Sequence, residues 1–190
     1  MNKAFIRKRY KLKRLELSPK KLNDISLKII DQMNDTFDFS EKLINIFLPI
    51  EKFNEIDLTL LIDHTLNKEG LICINKTDFK NHSITPYLYS TKIKLEISDF
   101  GVPEPSNGTV ISPKEIDYVI VPLLACDKNG YRIGYGQGFY DAFLAQCNDN
   151  TTFIGVNHFN DLVQIDNVEE HDIPIHYLVN LHETLNGHQR

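Results

Sequence analysis

The chain has 190 residues, 42% of them apolar and 25% charged, the balance of a folded globular chain with a core of its own. No stretch approaches the roughly 18 apolar residues that a membrane-spanning helix needs, and the basic start, MNKAFIRKRYKLKRLEL, lacks the apolar run of a secretory signal and reads as part of the fold rather than as a transit peptide. The net charge of −5 is uneven: residues 3–21 hold nine of the 21 Lys and Arg against one acid, Glu16, leaving 12 cations and 25 acids elsewhere, a distribution that excludes the broad basic face of a general nucleic-acid binder but suits a few cations set against one compact anion.

Residues 3–17, free of glycine and proline, predict a helix with two stripes, Ile6, Tyr10, Lys13 and Leu17 on one and Lys3, Arg7, Lys11 and Arg14 on the other. Ser18 supplies an N-cap and Pro19 a first helical residue, starting a second helix that runs to about Asn34 with Leu22, Ile25, Ile29 and Met33 inward. SEKLINIFL (40–48) contains a short strand. Residues 56–70 predict a helix closed by Gly70, followed by the strands LICIN (71–75) and KLEIS (94–98). DYVIVPLLACD (117–127) is almost unbroken apolar sequence, as a strand covered on both faces should be. FYDAFLAQC (139–147) has helical character, and TFIGVNHF (152–159) and HYLVNL (176–181) complete the β runs. This alternation predicts an α/β fold, a mostly parallel sheet between helices with a helical pair at the N-terminus; no linker or repeat divides residues 1–190, which are expected to form one domain. Cys73, Cys126 and Cys147 are odd in number and show no CxxC pair, and the seven histidines show no zinc spacing. Reduced thiols in a cytoplasmic protein are expected.

GYRIGYGQGFYD (130–141) packs four of the nine glycines into nine residues between the apolar strand and a helix, the place where open α/β sheets bind ligands. Glycines let backbone N–H groups approach a ligand, and a following helix N-terminus favours negative charge. A phosphate is the obvious guest, with Arg132 as a forked clamp and Asp141 as a magnesium ligand. The competing reading is a structural turn: Asn129-Gly130 is a strong turn signal, and the motif is neither a Walker loop nor a dinucleotide fingerprint. Spacing alone leaves both open.

VPLLACDKNGYRIGYGQGFYDAFL resembles the signature of the 5-formyltetrahydrofolate cyclo-ligase (5,10-methenyltetrahydrofolate synthetase) family: a proline-containing strand, an aspartate, G-x-R-[LI]-G-x-G-x-G-[FY]-Y-D, then a helix. Lys3 and Arg7 on the first helix, EID (55–57), GVPEP (101–105), Ile154-Gly155 and EHDIP (170–174) agree with the family in order. The resemblance implies a three-layer α/β/α fold with a Rossmann-like, CoA-transferase-like sheet. It implies ATP-dependent closure of 5-formyltetrahydrofolate, as mono- or polyglutamate, into the 5,10-methenyl form, with attack of the formyl oxygen on the γ-phosphate and release of ADP and phosphate. By resemblance Lys3, Arg7 and Arg132 are catalytic, and ATP lies on these three with Ile133, Gly134, Tyr135, Gly136, Gln137, Gly138, Phe139 and Tyr140. Substrate meets Tyr135 to Phe139, Ile50, Phe53 and Glu55, the last as acceptor for pterin N–H groups. Asp141 and Asp172 hold Mg2+. A monomer without nucleic-acid or membrane partners is expected.

The chain departs from some members by carrying the uncharged Tyr135 and Gln137 inside the glycine motif, His176 in place of a second acid and Asn180 in place of threonine. A packed or surface role for His176 is expected, since a hard cation prefers oxygen. Glu104 between prolines needs a partner that the sequence does not name. The alternatives are a nucleotide- or folate-binding homologue without the chemistry, and an NAD-linked oxidoreductase; the late glycine loop without GxGxxG disfavours the latter.

Overall fold

The computed structural model describes residues 2–188. In chain order the elements are α1 (Lys3–Leu15), α2 (Pro19–Thr36), β1 (Leu43–Ile46), α3 (Thr59–Asn67), β2 (Leu71–Asp78), β3 (Ser83–Leu88), β4 (Leu95–Ile97), β5 (Pro103–Pro105), β6 (Tyr118–Pro122), β7 (Ala125–Cys126), β8 (Arg132–Ile133), α4 (Phe139–Leu144), β9 (Thr152–Val156), β10 (Tyr177–Val179) and β11 (Thr184–Asn186). The central sheet runs β11-β10-β9-β6-β1-β2-β3. Its five middle strands are parallel, and β11 and β3 close the edges antiparallel.

Side chains alternate across the middle strands. Ile44, Ile46, Ile72, Ile74, Ile120, Ile154, Val156 and Val179 face one way, against Ile25, Ile29 and Met33 of α2 and Leu61 and Ile62 of α3. Leu43, Cys73, Val119, Val121, Phe153 and Leu178 face the other, against Phe143 and Leu144 of α4. This is the three-layer α/β/α arrangement, and its two-sided burial explains the near-continuous apolar strands.

α1 stands apart from both faces. Ile6 and Tyr10 pack with Leu124, Ala125, Ile133 and Ile165, over the β7–β8 hairpin. Lys13 does not join that buried stripe; its ammonium lies 4.1 Å from the Phe159 ring centroid and 3.0 Å from Asp161 Oδ1, while Arg14 takes the buried place. The Tyr10 hydroxyl donates to Asp161 Oδ2. Burial raises the Asp161 pKa, but the Tyr10 and Lys13 bonds outweigh it and hold it below the ordinary value. A depressed carboxyl pKa stabilises the fold above the unfolded value, about 3.9, and that contribution is lost as the pH falls below it. Tyr10→Phe is expected to lower unfolding stability by about 1 kcal/mol at neutral pH, with the gap to wild type closing in acid; chemical denaturation at several pH values measures it.

Three elements differ from the sequence expectation. The apolar run 117–127 is not one strand, because β6 ends at Pro122, which has no N–H to continue a ladder, and the chain leaves the sheet before β7. KLEIS forms the exposed strand β4, which among the described residues pairs only with β5 in a small two-stranded piece. SITPYL forms the edge strand β3, where Pro86 is tolerated because it sits at the sheet margin. Gly130 is a turn residue, as its Asn-Gly setting suggested: it has φ +85°, and a Cβ there would strike the Ile175 carbonyl.

Candidate active site

A cleft of about 520 Å3 opens beyond the carboxyl ends of β1 and β6, walled by α1, the glycine loop 134–138, the 47–55 segment and residues 169–172. Lys3, Arg7, Ile50, Phe53, Glu55, the run Arg132 to Asp141, and Asp172 all line it, so the structure brings the candidate residues from four separate segments to one place. The cation stripe of α1 divides. Lys3, Arg7 and Lys11 line the cleft, and Arg14 is buried beneath the loop.

Arg7 and the loop fit each other closely. Arg7 Nε donates to the Gly134 carbonyl at 3.0 Å. Gly136 has φ +93°, and a Cβ built on it would lie 2.7 Å from the Arg7 guanidinium carbon. A glycine is therefore required there twice, by backbone conformation and by the cation stacked on it. α4 is six residues long rather than the expected nine, so its dipole is short and charge on an anion in the loop rests mainly on side-chain cations.

Arg132 is only 6% exposed at its side chain; one of its terminal nitrogens (Nη2) donates to Asp141 Oδ1 at 2.7 Å and the other (Nη1) to the Ile173 carbonyl. Asp141 Oδ1 also accepts from the Ile173 N–H at 3.0 Å. Asp172 Oδ2 accepts from Lys3 Nζ at 2.6 Å and from the Glu169 N–H at 2.9 Å. Burial pushes the Asp172 carboxyl up, but these two bonds prevail and its pKa lies below the ordinary value. Asp141 Oδ2 and Asp172 Oδ1 are left without a hydrogen-bond partner among the described residues, and Asp141 is bonded to the N–H of Ile173, the residue after Asp172. Spare carboxylate oxygens at a cleft wall are the donor set a hard divalent cation takes, so these residues fit Mg2+.

Glu55 is 5% exposed. Its Oε2 accepts from the Ile50 N–H at 2.9 Å and its Oε1 from the Tyr135 hydroxyl at 2.7 Å. Arg14 donates to the same hydroxyl at 3.0 Å and to the Leu123 carbonyl at 2.7 Å, and stands 3.9 Å from Glu55 Oε1. Burial raises the Glu55 pKa, partly offset by Tyr135, the Ile50 N–H and Arg14. Burial and the Glu55 charge keep the Tyr135 hydroxyl protonated well above its ordinary range. Asn54, in a left-handed conformation, holds this corner in place: its side chain donates to the Arg14 and Leu17 carbonyls at the end of α1, and its own carbonyl takes the His158 Nε2 proton at 2.8 Å. Burial and Arg14 lower the His158 pKa to about 3, so that ring is neutral.

Phe53 lies 5.3 Å from the Tyr135 ring, and Ile50 serves the site through its backbone as well as its side chain. The Tyr140 hydroxyl accepts from Asn75 at 3.3 Å, inside the second core cluster. Glu104 finds its partner in the Thr77 N–H at 2.9 Å and is structural. His176 stacks on Phe153 and accepts from its N–H at 2.9 Å; it is packed on the sheet and does not line the cleft. Sequence reasoning missed the burial of Arg14 and the roles of Asn54 and His158, although the cation stripe had marked Arg14 as sharing a face with Arg7. It also missed Phe79 and Phe100, stacked at 3.7 Å on the cleft wall, which no motif links.

Residues 1–180 match the model of the 5-formyltetrahydrofolate cyclo-ligase family. The 5-formyltetrahydrofolate cyclo-ligase of Haemophilus influenzae is 34% identical over 101 residues, 51% of this chain and 54% of that protein. The enzyme of the same name from Mus musculus is 31% identical over 116 residues, 57% of this chain and 56% of its own. These alignments therefore span about half the length of the curated relatives. The solved structure of Aquifex aeolicus 5,10-methenyltetrahydrofolate synthetase superposes with a TM-score of 0.82 at 28% identity, covering 100% of this chain and 95% of that one. The Mycoplasma pneumoniae synthetase, at 21% identity and a TM-score of 0.74 over 95% of this chain and 99% of its own, shares the fold.

Proposed function

The chain belongs to the 5-formyltetrahydrofolate cyclo-ligase family, and on that premise we propose that it converts 5-formyltetrahydrofolate and ATP into 5,10-methenyltetrahydrofolate, ADP and phosphate. The observation that carries this reading is the convergence, in one cleft, of a glycine loop stacked on Arg7, a pair of carboxylates with spare oxygens, and a buried glutamate with acceptor capacity left over.

An amide oxygen is a poor leaving group, and phosphorylation makes it a good one. In the proposed reaction the formyl oxygen attacks the γ-phosphorus of ATP and ADP departs. The second folate nitrogen then attacks the formyl carbon and gives up its proton to solvent, and the oxygen leaves with the phosphate. The protein's share is alignment and charge neutralisation. The glycine loop from Arg132 to Tyr140 receives ATP, with Lys3 and Arg7 one helical turn apart on the same phosphates. Arg132 fixes Asp141 and keeps N–H donors beyond the two already engaged. Asp141 and Asp172 would hold Mg2+, which supplies charge neutralisation at the phosphate oxygens. Glu55 uses its remaining lone pairs on the pterin amino and ring N–H groups, beside Ile50, Phe53 and the 135–139 backbone. We place the protein in a reducing, cytoplasmic compartment, in keeping with its three free cysteines, acting as a monomer on mono- or polyglutamyl folate. Among the described residues no helix is long and apolar enough to cross a membrane.

Incubation with magnesium, ATP and 5-formyltetrahydrofolate is expected to generate methenyl-folate absorbance with matching ADP and phosphate, and no ADP when the folate is left out. Folded protein that binds ATP and folate calorimetrically yet forms no product would overturn the cyclo-ligase reading in favour of a non-catalytic binder.

A further inference from the structure

Arg14 is the fourth member of the α1 cation stripe and the one that does not line the cleft. It is 3% exposed, which is costly for a guanidinium unless its donors are placed. Two of them are: one donates to the Leu123 carbonyl, just past the carboxyl end of β6, and the other to the Tyr135 hydroxyl. The Tyr135 hydroxyl in turn donates a hydrogen bond to Glu55 Oε1, so α1, the glycine loop and the 47–55 segment meet in the chain Arg14–Tyr135–Glu55. We propose that Arg14 is a positioning residue, which sets the Tyr135 hydroxyl against Glu55 while making no bond to the loop backbone, and so sets folate affinity more than ATP affinity. This rests on the cyclo-ligase reading for the identity of the ligand, but not for the Arg14–Tyr135–Glu55 link itself.

Three other titratable groups surround Glu55. Tyr135 and Tyr140 are held protonated chiefly by burial, and His158 is held neutral by burial and by Arg14. Lys11 lies over the outer face of the Tyr135 ring, 4.9 Å from its centroid. Burial favours the protonated acid and is opposed by the Tyr135 hydroxyl, by the Ile50 N–H and by Arg14, which among the described residues is the cation paired with Glu55, at 3.9 Å. A protonated Glu55 offers fewer acceptor positions to pterin N–H groups.

The test compares wild type with Arg14→Met, which keeps length but not charge, and Arg14→Lys, which keeps charge but not the fork. In ligand-free protein carrying 13C-labelled glutamate, with the Glu55 signal assigned by Glu55→Gln, the carboxyl titration is expected to move to higher pH in Arg14→Met and to stay near wild type in Arg14→Lys. In steady-state assays the KM for 5-formyltetrahydrofolate is expected to rise about tenfold in Arg14→Met, with kcat and the KM for ATP within about twofold. If Arg14→Met does not fold, Arg14→Lys decides through its folate KM, which is expected to rise severalfold because the fork that holds Tyr135 is lost. A folate KM that rises while the ATP KM stands supports the proposal, and equal rises or none overturn it. An unchanged Glu55 titration in folded Arg14→Met overturns the role of Arg14 even if turnover is normal. A wild type without turnover overturns the cyclo-ligase reading while leaving the titration result to stand.

Discussion

Gly136→Ala is expected to fold and yet to lose about two orders of magnitude in kcat/KM for ATP. Two costs coincide at this residue. Its φ of +93° strains any L side chain, and the added Cβ would lie 2.7 Å from the Arg7 guanidinium carbon. The clashing atom is the far end of a flexible side chain, so the fold yields by moving Arg7 rather than by opening the core. Moving it breaks the 3.0 Å bond to the Gly134 carbonyl and takes a cation away from the proposed phosphate site. Losing a preorganised donor of this kind costs about 10²- to 10³-fold in rate. Arg7→Ala should therefore reproduce most of the effect, and the double variant should be little worse than Arg7→Ala. Steady-state kinetics on the three variants form a double-mutant cycle; fully multiplicative losses would show that the glycine and the arginine act separately.

Glu55→Gln is expected to lower kcat/KM for 5-formyltetrahydrofolate by about a hundredfold, with the KM for ATP nearly unchanged. The carboxylate accepts from the Ile50 N–H with one oxygen and from Tyr135 with the other. An amide has one acceptor oxygen, so one of these donors meets an NH2 group instead, and pterin N–H groups lose their charged acceptor. The same burial makes the wild type sensitive to pH. The Glu55 pKa is raised, so folate affinity should fall as the pH drops through that raised value, while the Gln variant stays flat. Stability runs the opposite way. A carboxyl whose pKa is raised by folding binds its proton more tightly in the folded state, so its unfavourable contribution grows as the pH rises. A folate kcat/KM within about threefold of wild type in Glu55→Gln would remove Glu55 from substrate recognition.

Much of the fold was legible because burial leaves a period in the sequence. The apolar runs at 71–75, 117–122 and 152–156 became interior parallel strands, and Ile25, Ile29 and Met33 faced the sheet as their spacing required. Where the pattern was short or exposed it misled. KLEIS alternates like a sheet strand but among the described residues pairs only with β5, and β3 was invisible behind Pro86.

The site divides along the same line. The sequence by itself determined the candidates for the chemistry: the glycine motif with Arg132 and Asp141 is a local pattern, written in neighbouring residues, and Lys3, Arg7, Glu55 and Asp172 followed from the family resemblance. Only the tertiary structure decided how those charges are paired. Arg132 lies against Asp141, Lys3 against Asp172, and Arg14 against Tyr135 and Glu55, with Arg7 stacked on Gly136. Three of these four contacts join α1 to segments more than a hundred residues away in the chain. A side chain's charge is set by its own type, but its partner is set by which distant backbone folding brings within reach.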